Sequence, residues 1–105
     1  MNNEVQEKII ILNIMRWNKE EKGEVKKGTR ISFIMPDNPS ATNNFEGCAV
    51  IDQFYDDPAI FNKINKDCIL AECMATFTLR SNNNPLKATR ILSTLEFEDA
   101  SINLV

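Results

Sequence analysis

Hydrophobic and polar residues alternate over much of this chain, a pattern typical of β-strands. The first such run, residues 8–17, is rich in Ile and contains no Gly or Pro, so it predicts a strand. Uninterrupted alternation would place four large side chains on one face of this strand: Ile9, Ile11, Met15 and Trp17. A polar stretch containing Gly23 and Gly28 follows, and alternation resumes over residues 29–35. These features predict a β-hairpin in which the glycines mark a turn or a bulge.

Three more strands and one short helix are predicted further along the chain. Residues 36–44 are rich in residues that favour turns, and residues 46–55 predict a third strand. Asp57 followed by Pro58 fits a helix N-cap with proline at the first helical position, so we expect a short helix ending near Lys66. The next segment could also form a helix, but its β-branched flanks favour a strand. The last two strands and the turn between them are predicted at residues 67–79, 86–97 and 80–85.

Length and composition indicate one globular domain. A chain of 105 residues can bury one core, and 43% hydrophobic with 26% charged residues is ordinary for a soluble protein. No apolar run approaches the ~20 residues that span a bilayer, so we expect a cytoplasmic protein without a membrane partner. The three cysteines are an odd number in apolar surroundings, which is typical of free thiols. We expect one domain over residues 1–105, with residues 1–7 frayed and residues 98–105 forming a short tail.

The residue types that usually carry catalysis or bind metals are scarce. The chain has no histidine, which removes the commonest general base and the commonest zinc ligand. Cys68 and Cys73 do not have the spacing of a zinc pair, and the sequence contains no phosphate-binding glycine motif. Asp52, Asp56 and Asp57 could bind a divalent cation, but capping of the predicted helix explains two of them. We therefore expect no enzymatic activity, no metal and no cofactor.

Positive charge is concentrated in one part of an acidic chain. The net charge of −3 argues against a protein that coats nucleic acid through bulk charge. The segment around the first predicted hairpin nevertheless carries half of the 12 basic residues: Arg16, Lys19, Lys22, Lys26, Lys27 and Arg30. Glu20, Glu21 and Glu24 are interleaved with them, a mixture equally typical of a solvent-exposed hairpin. A second basic group flanks the last predicted turn: Arg80, Lys87 and Arg90.

Several short motifs accompany this order of elements. The first hairpin contains Lys22-Gly23 and Lys27-Gly28, and the second strand contains Arg30-Ile31-Ser32-Phe33. With residues 61–72 and 87–92, these motifs resemble the OB-fold single-stranded DNA-binding proteins, in the compact form carried by phages and mobile elements. The resemblance implies a five-stranded Greek-key barrel with one short helix between strands 3 and 4. It also implies a homodimer, and two basic hairpins that border one groove.

Binding a single strand without sequence preference needs a basic groove for the phosphates and aromatic faces for the bases. The charge pattern and the resemblance nominate ten residues: Arg16, Trp17, Lys22, Lys26, Lys27, Arg30, Tyr55, Phe77, Arg80 and Lys87. Trp17 could instead be a partly buried core aromatic, and Phe77 fits either role. Because Phe54 and Tyr55 point to opposite faces of the third strand, we assign Phe54 to the core and Tyr55 to the surface.

The sequence predicts binding of single-stranded DNA with little sequence preference, and RNA is the less favoured partner. The protein would protect or present strands during replication or transfer of a phage or mobile element. The alternative is a small β-barrel that acts as a protein–protein interaction module without binding nucleic acid. The net negative charge favours that alternative.

Overall fold

The structure is a computed structural model that describes residues 4–80 and 89–105, with side chains for residues 4–79 and 90–105. Strands form most of the described chain, so the prediction of a mainly β protein is confirmed. In chain order, strands β1 to β8 are Glu4–Glu21, Glu24–Ile34, Ser40–Ala41, Glu46–Gly47, Ile51–Tyr55, Glu72–Arg80, Thr89–Glu96 and Ser101–Asn103. Two 3₁₀ helices, Pro58–Lys63 and Lys66–Cys68, connect β5 to β6.

Six of the strands form one antiparallel sheet in the order β5-β2-β1-β6-β7-β8, and β3 pairs with β4 in a separate ribbon. The prediction contained five strands. Two of the three additional strands lie in segments predicted to be irregular, because β3 belongs to the predicted loop and β8 to the predicted tail. The third arises because the predicted third strand, residues 46–55, is divided into β4 and β5. Strand β1 also begins earlier than predicted, since Glu4 already pairs with Thr78 of β6.

The β1–β2 hairpin is longer than its predicted strands. The ladder continues to the pair Glu21 and Glu24, so that only Lys22 and Gly23 form the turn. Both turn residues have positive φ, at 52° and 79°, which is the backbone geometry of a two-residue hairpin turn that matches strand twist. Residues 18–27 form a two-stranded projection that we call the arm, and its residues are exposed.

A bulge interrupts the alternation of side chains in β1. Ile11 pairs with Phe33, but the next pair is Asn13 with Ser32, so Leu12 is an extra residue. Ile9 and Ile11 therefore face the core before the bulge, whereas Met15 and Trp17 point to the opposite face after it. The predicted grouping of all four side chains on one face is wrong, because uninterrupted alternation assumes a strand without a bulge.

The core lies on one side of the curved sheet, beneath the 3₁₀ helices. Its buried hydrophobic residues are Ile9, Ile11, Ile31, Phe33, Tyr55, Ile60, Ile64, Cys73, Ala75, Phe77, Leu92, Leu95 and Leu104. Phe33 and Phe77 pack with their ring centroids 5.9 Å apart. The opposite side of β1, β2 and β5 carries no helix among the described residues, and we call it the outer face. Its side chains, assigned from register and alternation, are Asn13, Met15, Trp17, Arg30, Ser32, Asp52 and Phe54.

The predicted helix is present as a 3₁₀ helix with the predicted cap. Asp57 is the N-cap, its Oδ1 accepts the N–H of Ala59 at 2.9 Å, and Pro58 follows at the first helical position. This helix ends at Lys63, and the second helix occupies the start of the predicted fourth strand, which begins only at Glu72. No helix in the described part of the chain is long and apolar enough to cross a membrane.

Two side chains of β5 reach across the core to β7. The Tyr55 hydroxyl donates to the carbonyl oxygen of Leu92, and the N–H of Leu92 donates to Gln53 Oε1 at 3.5 Å. These side-chain contacts connect strands from the two ends of the sheet. No main-chain ladder pairs β5 with β7 in residues 4–80 and 89–105, so the sheet is not closed into a barrel there.

Candidate functional site

Three side chains lie at one level of the outer face, on neighbouring strands. Met15 pairs with Arg30 across β1 and β2, and Arg30 pairs with Phe54 across β2 and β5. Met15 and Phe54 are 48% and 58% exposed, which is unusual for large apolar side chains so close to a core. Between them, Arg30 Nε is buried and has no hydrogen-bond partner in the described structure. An aromatic ring, a cation and a thioether therefore form a row on an open sheet surface.

Trp17 lies next to this row, toward the arm. It pairs with Gly28, and its indole ring occupies the space that a side chain at position 28 would need. Trp17 is half-buried, but it is not among the residues that pack against the core cluster. The structure therefore places Trp17 on the outer face, with part of its ring covered by the backbone of β2. Its Nε1 is buried and has no hydrogen-bond partner among residues 4–80 and 89–105.

The aromatic assignments on the core side were wrong. Tyr55 is only 6% exposed and Phe77 only 2%, so neither ring is available to a base. On β5 the exposed aromatic is Phe54, which the sequence prediction placed in the core. A signal for Phe54 was present, because Asp52 lies two residues before it and side chains alternate. A charged residue marks the solvent side of a strand, and Phe54 shares that side.

The cations of the arm fall into two groups. Lys26 and Lys19 both pair with Glu21, at N–O distances of 3.5 and 3.7 Å, on the same side of the arm as Trp17. Such exposed pairs contribute little free energy and exchange readily with other anions. Lys22 lies in the turn and has no ion pair among the described residues. The interleaved glutamates therefore neutralise part of the arm but leave cations free.

The opposite side of the arm presents a second basic surface. The Arg16 guanidinium lies 4.4 Å from the centroid of the Phe61 ring, and Nη2 donates to Asn62 Oδ1 at 2.9 Å. Arg16 and Lys27 border a depression of about 410 Å³ that is closed by Pro58 and the helix following it. Neither cation has an ion-pair partner in the described part of the chain. The 3₁₀ helix thus holds the Arg16 guanidinium in place beside the exposed side chain of Lys27.

Most of the second predicted basic hairpin lies outside the described residues. The backbone of Arg80 pairs with Thr89 at the end of the β6–β7 ladder, but the Arg80 side chain and all of Lys87 lie outside the described residues. The remaining member of that group, Arg90, forms an ion pair with Glu7 at 3.2 Å. The second wall of the predicted groove therefore stays a prediction.

The next level of the outer face carries polar groups. Ser32 pairs with Asp52, and the buried Ser32 hydroxyl donates to Asp52 Oδ1. Asp52 is exposed and has no ion pair among the described residues. A carboxylate held by a hydrogen bond therefore lies on the same strand and the same face as Phe54.

Burial suppresses the reactivity of one cysteine, Cys73. All three are free thiols, and Cys73 is buried in the core. Burial raises the pKa of the Cys73 thiol from 9.0 to about 11, and the nearby Cys68 contributes a smaller effect in the same direction. A raised pKa keeps the thiol protonated and suppresses nucleophilic reactivity.

Comparison with protein-family models, with curated proteins and with solved structures finds no match for this chain. The fold and the surfaces described above are therefore the basis for assigning a class of protein and a function.

Proposed function

We propose that this chain binds single-stranded DNA with little overall sequence preference, along the outer face of β1, β2 and β5. The observation that carries the proposal is the row of Phe54, Arg30 and Met15. An exposed aromatic face beside an arginine that has no ion pair within the described chain combines base stacking with phosphate attraction. Further cations with no ion pair among the described residues lie on the arm: Lys22 in its turn, and Arg16 and Lys27 on the side opposite this row.

The strand order supports an OB-like architecture. Numbering only the five predicted strands, the sheet runs third, second, first, fourth, fifth. In a partly open OB barrel, oligonucleotides bind on the face of strands 2 and 3, between the loop joining strands 1 and 2 and the loop joining strands 4 and 5. Arg30 and Phe54 lie on those two strands, and the arm is the first of those loops. Hydrogen bonds between the side chains of Tyr55 and Gln53 and the backbone of Leu92 connect β5 to β7, the two strands that a closed barrel would pair.

The binding mechanism has an electrostatic and a stacking component. Arg30 attracts phosphates on the outer face, and Lys26 joins it when a phosphate replaces Glu21 as its partner. A strand that continues around the arm also meets Lys27 and Arg16 on its opposite side. A base stacks on Phe54, which contributes about 1–3 kcal/mol per base in such proteins. Trp17 borders the path and reports binding through its fluorescence. A homodimer and a role in replication or transfer of a phage or mobile element belong to the same proposal and are supported by the sequence resemblance alone.

The proposal is tested by titrating the protein with oligo(dT) of about 20 nucleotides while following Trp17 fluorescence. We expect quenching on binding, and an affinity that falls steeply with added salt because phosphate contacts release counterions. Oligo(U) of the same length serves as the RNA comparison and should bind more weakly. Absence of binding to oligo(dT) at low salt overturns the proposal.

The alternative, a protein–protein interaction module, is favoured by one feature of the edge of the sheet. Strand β5 has a neighbour on one side only among the described residues, and Val50 and Ile51 at its start are 58% and 38% exposed. An edge with exposed apolar residues can pair with a strand of another protein. Salt-insensitive association with a protein partner, together with no response to any oligonucleotide, would support this function instead.

A further inference from the structure

Asp52 is an unexpected residue on a surface that attracts phosphates. It lies two residues before Phe54 on the same face of β5, a separation of about 7 Å along a strand. A carboxylate at this distance from a bound strand repels phosphates, so its presence weakens purely electrostatic binding. Because the Ser32 hydroxyl donates to Oδ1, the carboxylate is held on the outer face, and Oδ2 and the second lone pair of Oδ1 remain to accept hydrogen bonds.

A carboxylate beside a stacking ring has a specific use in nucleic-acid recognition. It accepts hydrogen bonds from the edges of bases and cannot donate any. Guanine presents two adjacent donors, N1–H and the N2 amino group, which match two carboxylate acceptors. Thymine presents a single N–H between two carbonyl oxygens, and these oxygens face a carboxylate unfavourably. Adenine and cytosine present one amino group next to an unprotonated ring nitrogen, so they can donate only one hydrogen bond to a carboxylate at this edge.

Arg30 complements this arrangement on the neighbouring strand. It pairs with Phe54 and is diagonal to Asp52, so the aromatic ring has a cation on one side and a carboxylate along its own strand. Arg30 and Asp52 form no ion pair with each other, and both charges are therefore available to a ligand. Guanine also has the acceptors O6 and N7, for which arginine is the commonest protein partner.

We propose that Asp52 makes the base position on Phe54 selective for guanine. The inference rests on the proposed single-stranded DNA binding and adds a preference at one position to contacts that otherwise do not read sequence. Asp52 accepts the guanine N1–H and N2 amino group, Phe54 stacks on the base, and Arg30 lies on the side of O6 or of the adjacent phosphate. Asp52 is thus a specificity-determining residue, and its charge costs affinity for strands that lack guanine.

The test compares dye-labelled oligo(dT) of about 12 nucleotides with the same oligonucleotide carrying one central dG, by fluorescence anisotropy at low salt. Because the strand can shift along the protein, one dG is sufficient to occupy the Phe54 position. We expect the strand containing dG to bind about 5- to 100-fold more tightly, the range of a good bidentate contact to a base. Replacing dG by deoxyinosine removes the N2 amino group and should reduce this preference.

Two variants of Asp52 and one control variant test whether Asp52 causes the preference for dG. Asp52→Ala and Asp52→Asn should remove the preference for dG and leave binding of oligo(dT) equal or tighter. Glu72→Gln removes the same charge from an exposed position on another strand, β6, and should keep the preference. Circular dichroism melting establishes that each variant is folded.

The possible failures are distinguishable. If the protein binds both oligonucleotides with equal affinity, the guanine inference is wrong and the proposed function stands. A preference for dG that persists in Asp52→Ala assigns selectivity to another group and also overturns the inference. If neither oligonucleotide binds, the proposed function fails and the inference fails with it.

Discussion

Trp17 lies directly opposite Gly28 in the β1–β2 ladder, and its indole ring covers the glycine backbone. A Cβ atom at position 28 would overlap both the Trp17 ring and the backbone carbonyl oxygen of Tyr55. The glycine thus permits three strands to meet closely beneath the tryptophan. This contact fixes the position of Trp17 at the boundary between the sheet and the arm.

Gly28→Ala is expected to destabilise the protein by about 2 kcal/mol or more, because one of the overlapping atoms belongs to the backbone and cannot rotate away. Urea denaturation measures the change. The control is Gly23→Ala in the hairpin turn, where a Cβ atom meets no other atom. Because φ of Gly23 is 79°, this variant should lose only about 1–2 kcal/mol of unfolding free energy, which is what a left-handed backbone costs a residue with a side chain. A Gly28→Ala variant as stable as wild type would show that the strands separate easily at this point.

Phe54→Ala is expected to weaken oligo(dT) binding by about 5- to 150-fold, which corresponds to the loss of one stacked base. Phe45→Ala is the matched control, since Phe45 is also an exposed phenylalanine, at 44%, but lies outside the outer face. Anisotropy titration of the two variants provides the comparison. Equal losses in both variants would argue against a defined stacking position.

Lys27→Ala should reduce the slope of log affinity against log salt concentration by about 0.7, the value for one phosphate contact to a single strand. Lys63→Ala is the control, because Lys63 Nζ donates to the carbonyl oxygen of Asn103 beside β8, on the opposite edge of the sheet from β5. The control slope should equal that of wild type. If the Lys63 variant loses as much slope as the Lys27 variant, the phosphates do not follow the arm.

Tyr55→Phe should cost about 1–3 kcal/mol of unfolding free energy, because it leaves the buried carbonyl oxygen of Leu92 without its donor. The reverse exchange one residue earlier, Phe54→Tyr, adds a hydroxyl to the exposed face and should change stability by less than about 0.5 kcal/mol. Thermal and urea unfolding of both variants test whether the side-chain bridge between β5 and β7 stabilises the fold. A neutral Tyr55→Phe variant would mean that it does not.

Stability is expected to fall as the pH rises from about 9 toward 11, since burial raises the pKa of Cys73 from 9.0 to about 11. In this range the unfolded thiol loses its proton before the folded one, so the unfolded state binds fewer protons and is favoured by increasing pH. Burial also raises the pKa of Tyr55 above its ordinary value of 10.0, which adds a further loss at higher pH.

The variant Cys73→Ala separates these two contributions. Its urea midpoint should change less than that of wild type between about pH 8 and pH 10, where the tyrosine contributes little. Cys68→Ala is the comparison, because Cys68 contributes the smaller part of the pKa shift and should leave most of the alkaline loss in place. An unchanged pH dependence in Cys73→Ala would assign the loss to other groups.

Local signals in the sequence predicted local structure well. Asp57 and Pro58 define the start of the helix because a cap and a proline act on their immediate neighbours. The Lys22-Gly23 pair similarly predicts the hairpin turn, since glycine tolerates the positive φ that the turn requires. The glutamates interleaved with the lysines are typical of a solvent-exposed hairpin, and residues 18–27 are indeed exposed.

Features that depend on distant parts of the chain were not predictable in the same way. Arg16 is held by Phe61 and Asn62, some 46 residues further along the sequence, and no local pattern indicates that contact. Burial of Tyr55 depends on an acceptor at Leu92 in another strand. Phe54 is different, because the charge at Asp52 already indicated the solvent side of β5 and could have been used.

The bulge at Leu12 also bears on which substitutions the chain can tolerate. In a scan of all single substitutions along β1, the sensitive positions should be odd-numbered before the bulge, at Ile9 and Ile11, and even-numbered after it, beginning at Ile14. Position 15 then accepts a wide range of residues although its neighbours in sequence look equally hydrophobic. One extra residue thereby moves the packing positions of the longest strand from odd-numbered to even-numbered residues.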